Sequence, residues 1–281
     1  MVKNPYRIEG PALLSFSGGR TSAYMLWHIL DAWDGVLPDD VHVAFANTGK
    51  EREETLRFVH ECATTWGVKV NWLEFVTDLR SVGPAGRIDR VGYNSASRKG
   101  EPFDRLIERK KAIPSTLTGR WCTDFLKVRT LQDFMAVQGL EPGQYREVIG
   151  IRADEAERAA RLRDRDRNVA RDIATPLIDA GVRKADVLAF WKVQPFDLRL
   201  PRGYGNCDHC PFVGTKNRIG RARFDPAGTF WWAKHEKDKG FSLGRTFSIV
   251  EILGLAAREP ELIPDEYADA ECGLWCAGET A

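Results

Sequence analysis

Ala12-Leu13-Leu14-Ser15-Phe16-Ser17-Gly18-Gly19-Arg20-Thr21-Ser22 is the stretch on which the fold turns. A short apolar run stops at Ser-Gly-Gly, and from Thr21 to Trp33 the apolar residues return at helical spacing. The segment therefore reads as a buried strand that turns directly into a helix. Two glycines let the backbone approach an anion closely and present successive N–H groups to it. Thr21 and Ser22 add hydroxyls at the amino end of the helix, where the peptide dipoles favour negative charge, and Arg20 adds a cation. Ser15, Ser17, Gly18, Gly19, Arg20, Thr21 and Ser22 are therefore candidate phosphate-binding residues. The spacing is not that of a Walker A loop, G-x-x-x-x-G-K-[ST]. The plainer alternative is a tight strand-to-helix turn that holds no ligand.

The same strand-turn-helix unit recurs along the first half. His42 to Ala46 (HVAFA) reads as a second strand, followed by a helix from about Glu53 to Thr65. Val68 to Val76 reads as a third strand, and Arg146 to Ile151 as a fourth, after a helix over Asp124 to Gln138. Strands alternating with helices predict an α/β fold, a doubly wound parallel sheet that binds ligands at the carboxyl ends of its strands. Ser81 to Thr118 reads as a loop-rich insertion. The highly charged run from Arg158 to Asp172 reads as a solvated helix face or loop in preference to a nucleic-acid contact. Beyond Pro195 the alternation fades and Gly, Pro, Trp and Cys accumulate. The expected organisation is a nucleotide-binding α/β domain over 1–195 and a cysteine-rich carboxy-terminal subregion over 196–281.

Forty-one basic and 40 acidic residues leave a formal net charge of +1, so global electrostatics select no partner class. No stretch approaches the roughly 20 apolar residues of a membrane helix, and the amino terminus does not read as a secretory signal. The expected compartment is a reducing cytoplasm. There, six cysteines read as free thiols, metal ligands or catalytic groups and not as a disulfide framework. Cys62, within a helical pattern, reads as a packed core thiol. Cys207-Asp208-His209-Cys210 is a C-x-x-C in a Gly/Pro-rich loop; it supplies two thiolates where zinc or a cluster needs three or four. Cys122, Cys272 and Cys276 are the remaining suppliers, so a metal site requires remote segments to meet. A tetrahedral sulfur site suits zinc as well as iron–sulfur, and His209 is a further possible ligand. The basic segments Arg98-Lys99, Arg109-Lys110-Lys111 and Arg218 to Arg223, with Trp231 and Trp232 nearby, suit either a nucleic-acid track or a solvated surface over packed tryptophans.

Taken together, these motifs resemble the PP-loop adenine nucleotide alpha-hydrolase superfamily, and within it the iron–sulfur-bearing, PAPS (phosphoadenosine phosphosulfate) reductase-like family. SFSGGRTS is similar to the family's pyrophosphate-gripping SGGxxS loop, with Thr21 in place of the usual Asp. FANTGKEREETLRFV, containing Asn47, Thr48 and Gly49, is similar to a segment that lies near the nucleotide in the family. Gly150-Ile151-Arg152-Ala153-Asp154-Glu155 is similar to the GxRxxES-type motif. It implies Arg152 on a phosphate or sulfate oxygen, stabilising developing charge, with Asp154 and Glu155 orienting it or holding magnesium. Trp121-Cys122 stands where the family has a Cys-Cys pair ahead of its C-x-x-C. The resemblance thus implies a 4Fe-4S cluster on Cys122, Cys207 and Cys210, completed by Cys276 or Cys272 or left with one open iron; zinc is the alternative. Glu271-Cys272-Gly273-Leu274 is similar to the family's ECG-[IL]-H tail, which implies Cys272 as the nucleophile and Cys276 as the ligand. The implied function is sulfur transfer or sulfonucleotide reduction on bound ATP or PAPS. A sulfur donor or reductant such as thioredoxin or a cysteine desulfurase would be the partner, and a nucleic acid is a possible sulfur acceptor. The rival reading is a zinc-stapled nucleotide- or nucleic-acid-binding module without catalysis.

Overall fold

Leu13 and Leu14 are neighbours in the first strand and face opposite sides of the sheet, as the period of two requires. Leu14 packs in a core with Met25, Ile29, Phe58 and Trp191. Leu13 packs in another with Leu131, Phe134, Met135 and Ile149. Burial on both faces is the condition under which parallel strands are stable, because helices cover each side.

The computed structural model describes residues 4–115, 117–164, 170–201, 204–205, 207–244 and 246–258. Strands Ala12–Ser15 (β1), Val41–Asn47 (β2), Val70–Phe75 (β3), Ile88–Val91 (β4), Arg146–Ile149 (β5) and Asp172–Ala174 (β6) form one sheet in the order β4-β3-β2-β1-β5-β6. β4 pairs antiparallel with β3; the other pairings are parallel. The helices are Arg20–Ala32 (α1), Glu53–Thr65 (α2), Gly83–Arg87 (α3), Glu101–Lys110 (α4), Thr130–Val137 (α5), Ala156–Arg163 (α6), Pro176–Asp179 (α7), Lys184–Lys192 (α8), Thr215–Phe224 (α9), Pro226–Lys239 (α10) and Ile249–Arg258 (α11). A π-helical turn, Thr123–Arg129, runs directly into α5. α1, α2 and α8 cover one face of the sheet, α5 and α6 the other. This is the doubly wound α/β fold. From β1 the chain goes first to β2 and later to β5 on the opposite side, so the strand order reverses at β1. The crevice at such a reversal, outside the carboxyl ends of the strands, is where this architecture receives ligands.

Three sequence readings need correction. Ser81 to Thr118 is not mainly loop, because it contains α3, β4 and α4. The apolar residues Phe103, Leu106 and Ile107 of α4 are buried at the i, i+3, i+4 spacing of a helix face. β4 hides its signal, since Asp89 and Arg90 are exposed and only its ends are apolar. The charged run from Arg158 is a solvated helix face as far as Arg163, the end of α6, but its other end belongs to the sheet: Asp172 opens β6, where the neighbouring Arg171 grips Glu147 of β5. Among the described residues beyond Pro195, a stretch without helix or strand as far as Gly214 is followed by the three helices α9, α10 and α11. Trp232, Leu243 and Ile249 form a third core with Phe103, Leu106 and Ile107 of α4 and Phe125 and Leu126 of the π-helical turn. Leu198 and Leu200 join the core of α1, α2 and α8. Cys62 is fully buried in α2, as a packed thiol. Among the described residues no helix is long and apolar enough to cross a membrane.

Burial also sets a pH dependence. It holds His28, His42, His209 and His235 below the ordinary histidine range, with Arg221 and Arg52 adding to the effect at His209. As pH falls through about 6.5 the unfolded chain takes up protons that the folded chain refuses, so stability is full above that value and is lost below it. The thermal midpoint should therefore fall between about pH 6.5 and pH 5. A midpoint that rises over the same interval would contradict the buried, neutral state of these rings.

Candidate functional site

β1 ends at Ser15, and the chain turns through Ser17-Gly18-Gly19 into α1. The Ser17 N–H donates to Ser22 Oγ at 3.2 Å, the two serine hydroxyls share a hydrogen bond of 2.9 Å, and Ser22 Oγ donates to the Gly19 carbonyl at 3.0 Å. The loop is thus closed on itself by its own side chains. Gly18 has φ +76°, and a Cβ there would sit 2.7 Å from Thr55 Cγ2 and 3.1 Å from Val59 Cγ2. Its lack of a side chain serves the packing of α2. At Gly19 the nearest atom to a Cβ would be Ser17 Oγ at 3.6 Å, so the space above it is open.

Arg152, just beyond β5, reaches back to this loop. Its Nη1 donates to Thr21 Oγ1 at 3.1 Å, its Nε donates to Asp154 at 3.1 Å, and Glu155 lies 3.4 Å from Nη2. The backbones meet as well, since a Cβ on Gly150 would lie 3.1 Å from the Cα of Ser22. The first and third sequence motifs therefore come together at the reversal point of the sheet, and Asp154 and Glu155 orient the guanidinium. Arg20 turns elsewhere. It forms a two-pronged pair with Asp197, both contacts at 2.7 Å, and its carbonyl accepts from the Trp191 indole. The expectation of Arg20 as a cation for phosphate is corrected on this point: a carboxylate from the segment after α8 occupies it.

The turn after β2 is built from buried polar groups. The Asn47 side-chain amide donates to Glu74 (2.6 Å) and to the Ser97 carbonyl (2.9 Å), while its oxygen accepts from the Gly49 N–H (3.1 Å). Asn47 shapes the turn, and both ends of its amide are taken up by protein groups. Thr48 donates to Glu51 through its N–H (2.8 Å) and hydroxyl (2.5 Å), and its Oγ1 lies 3.7 Å from Cys207 Sγ. Lys50 Nζ pairs with Asp208 at 2.6 Å, and the Asp208 N–H donates to the Lys50 carbonyl at 2.8 Å. Glu51 and Cys207 form a single antiparallel bridge. These contacts stitch the C-x-x-C loop to the β2 turn, at the same end of the sheet as Arg152.

Cys122, Cys207 and Cys210 line one cavity, together with Thr48, Lys127 and Arg221. Cys122 immediately precedes the π-helical turn, which carries Lys127. Burial pushes the Cys122 thiol up to about 12, with Cys210 adding to the rise. Burial and Glu51 likewise push Cys207 up. Buried, protonated thiols are poor nucleophiles; a metal that binds them would also deprotonate them. The surroundings suit such a charge. Burial works against the Lys127 ammonium, but Glu51 at 3.2 Å and then Cys207 more than reverse this, so its pKa lies above the ordinary lysine value. Arg221, only 1% exposed, donates to the Cys207 carbonyl at 3.0 Å. Three soft thiols beside buried cations are a donor set that fits an iron–sulfur centre. Among the described residues, however, no group of three or more His, Cys, Asp or Glu side chains is arranged to hold a metal ion. Cys272 and Cys276, expected as nucleophile and ligand, lie outside the described residues.

The Lys127–Glu51 pair is nearly sealed, with 9% and 1% of the two side chains exposed. Lys127→Met should cost about 3–5 kcal/mol in urea unfolding, because it strands a buried carboxylate. The double change Lys127→Met with Glu51→Leu should recover only part of that loss, because the buried Thr48 N–H and hydroxyl then lose their acceptor. A single-variant cost below about 1 kcal/mol would mean that water reaches the pair.

No family model matches the chain. It is similar to the uncharacterized nin region protein ORF290 of Escherichia phage lambda, 35% identical over 218 residues that make up 77% of this chain and 70% of that protein. The chain belongs to the ORF290 family. It is also similar to the uncharacterized protein MJ0066 of Methanocaldococcus jannaschii, 26% identical over 228 residues, 78% of this chain and 41% of that longer relative.

In this ORF290-family chain, motif reasoning did not single out Glu51, Lys127, Asp208 and Arg221. Lys127 and Asp208 were each adjacent to a signal, being five residues after Cys122 and inside the C-x-x-C. The basic segment Arg218 to Arg223 is not an open track for a nucleic-acid backbone, since Arg218 and Arg221 are buried. Arg98 is held by Glu53 at 2.6 Å. Trp232 is fully buried and Trp231 packs against it, so the tryptophans belong to the core.

Proposed function

We propose that this ORF290-family chain is a PAPS reductase-like, PP-loop enzyme. In this reading it binds ATP or a sulfonucleotide at the Ser17–Ser22 loop and carries out sulfur transfer or sulfonucleotide reduction with an iron–sulfur cluster. The observation that carries the proposal is the convergence of three cysteines from two remote segments on one cavity, beside the turn after β2. Cys122, Cys207 and Cys210 would hold the cluster, and the cluster would supply redox or sulfur-carrying chemistry. The chain's own residues bind and orient. The amides of the loop and of the start of α1 face the phosphates, and Arg152, positioned by Asp154 and Glu155, offers a planar fork to a phosphate or sulfate oxygen. Lys127 and Arg221 offset the negative charge of the thiolates. Cys272 remains the proposed attacking sulfur.

A second reading has one specific observation in its favour. His209 lines the same cavity as the three thiols, and its Nδ1 has no hydrogen-bond partner while Nε2 bonds to Thr229 at 2.7 Å. Three Cys and one His make a structural zinc site, and the protein would then be a stapled nucleotide-binding module without catalysis. Anaerobic purification with metal analysis, followed by incubation with ATP and with PAPS, separates the two. Iron together with release of pyrophosphate or of sulfite is expected. Stoichiometric zinc, no iron and no turnover of either nucleotide would replace the first reading with the second.

A further inference from the structure

Arg52 stands at the amino end of α2 with its side chain only 4% exposed. Its Nε and Nη2 nevertheless have no hydrogen-bond partner. The guanidinium lies 4.8 Å over the Phe224 ring, and its carboxylate neighbour is Asp225 at 3.6 Å, longer than a direct charged hydrogen bond. A buried guanidinium with unmade donors is costly, and an anion would complete it.

Arg52 lines a cleft shared by Lys50, Glu53, Glu54, Asp225 and Gly228. The amino ends of α2 and α10 both open onto it, and the leading amides of a helix have no partner inside the helix. The acids of the cleft are mostly engaged. Arg98 holds Glu53 at 2.6 Å, Lys50 holds Asp208 at 2.6 Å, Lys127 holds Glu51 at 3.2 Å, and Asp225 accepts from the Gly228 N–H at 2.8 Å. Glu54, the remaining acid lining the cleft, opposes an anion.

We propose that this cleft is a binding site for a tetrahedral oxyanion, a phosphate or sulfate group held by the fork of Arg52 and the first-turn amides of α2. The inference does not depend on the iron–sulfur reading. The anion has two possible sources: free inorganic anion, or a phosphate of the nucleotide expected at the Ser17–Ser22 loop. The second is within reach of the same helix, since Thr55, one turn along α2, packs against Gly18.

Isothermal titration of the full chain with inorganic phosphate, and separately with ATP, tests this on wild type, Arg52→Gln and Glu54→Gln. Phosphate binding should weaken about tenfold in Arg52→Gln and tighten about twofold in Glu54→Gln. ATP affinity unchanged in Arg52→Gln identifies the free anion as the ligand, whereas a parallel loss for ATP identifies the nucleotide's own phosphate. Wild-type phosphate affinity in a folded Arg52→Gln overturns the proposal. Should that variant fail to fold, an unchanged phosphate affinity in Glu54→Gln overturns it instead.

Discussion

Cys207→Ala should strip the metal from the protein and lower its thermal midpoint by at least about 10 °C, because metal binding and folding of the ligand loops share one free energy. Wild type, purified anaerobically, should hold about four irons per chain and absorb broadly in the visible. Cys207 has the most to lose among the three thiols. Its backbone bridges to Glu51, its sulfur lies 3.7 Å from Thr48 and 3.9 Å from Glu51, and its carbonyl anchors Arg221. Alanine keeps the main-chain bridge and carbonyl but deletes the sulfur, and with it a ligand and the contacts to Thr48 and Glu51. Cys62→Ala is the matched control. It removes a fully buried thiol from the core of α1, α2 and α8, and should keep the full iron content with a loss of about 1 kcal/mol. Cys207→Ala protein with wild-type iron would end the cluster reading, and equal iron loss in Cys62→Ala would show that general destabilisation, not ligation, is being measured.

The second large effect separates two adjacent glycines. Gly19→Val should fold with near-normal stability and lose nucleotide affinity by about a hundredfold or more, since a Cβ there comes no nearer to the protein than 3.6 Å, at Ser17 Oγ, and the side chain fills the space over the loop. Gly18→Val should instead lose about 3 kcal/mol or more of stability. It combines a positive φ, unfavourable for a β-branched residue, with a Cβ 2.7 Å from Thr55. Both results are read by chemical unfolding and by titration with ATP and PAPS. If folded Gly19→Val binds both nucleotides as wild type does, the loop after β1 is a structural turn and the nucleotide lies elsewhere.

Much of this architecture was legible in the chain because its causes are local. β1 and β2 announce themselves as apolar runs buried on both faces, and the step from β1 to α1 is a change of period from two to 3.6 across Ser-Gly-Gly. α4 was legible too in Phe103, Leu106 and Ile107, but it is short, opens with Pro102 and lies in a polar region, so its pattern was easy to pass over. β4 and β6 were not legible. Each is only three or four residues long with polar positions, and each exists because a neighbouring strand offers a free edge to pair with.

The sequence by itself therefore determined the alternating α/β order, the glycine turn after β1, and the residue types available for anion and metal chemistry, since each depends on backbone freedom or side-chain period within a few residues. The tertiary structure alone decided which of those groups meet. Arg152 reaches Thr21 across 131 positions, and Arg20 is taken by Asp197 across 177. Lys127 is kept charged by Glu51 in a place that water barely reaches, beside the two thiols of the C-x-x-C and a third, Cys122, that only the fold brings to them. The energy of a charge depends on what lies within a few ångströms of it, and for these buried groups the neighbours come from opposite ends of the chain.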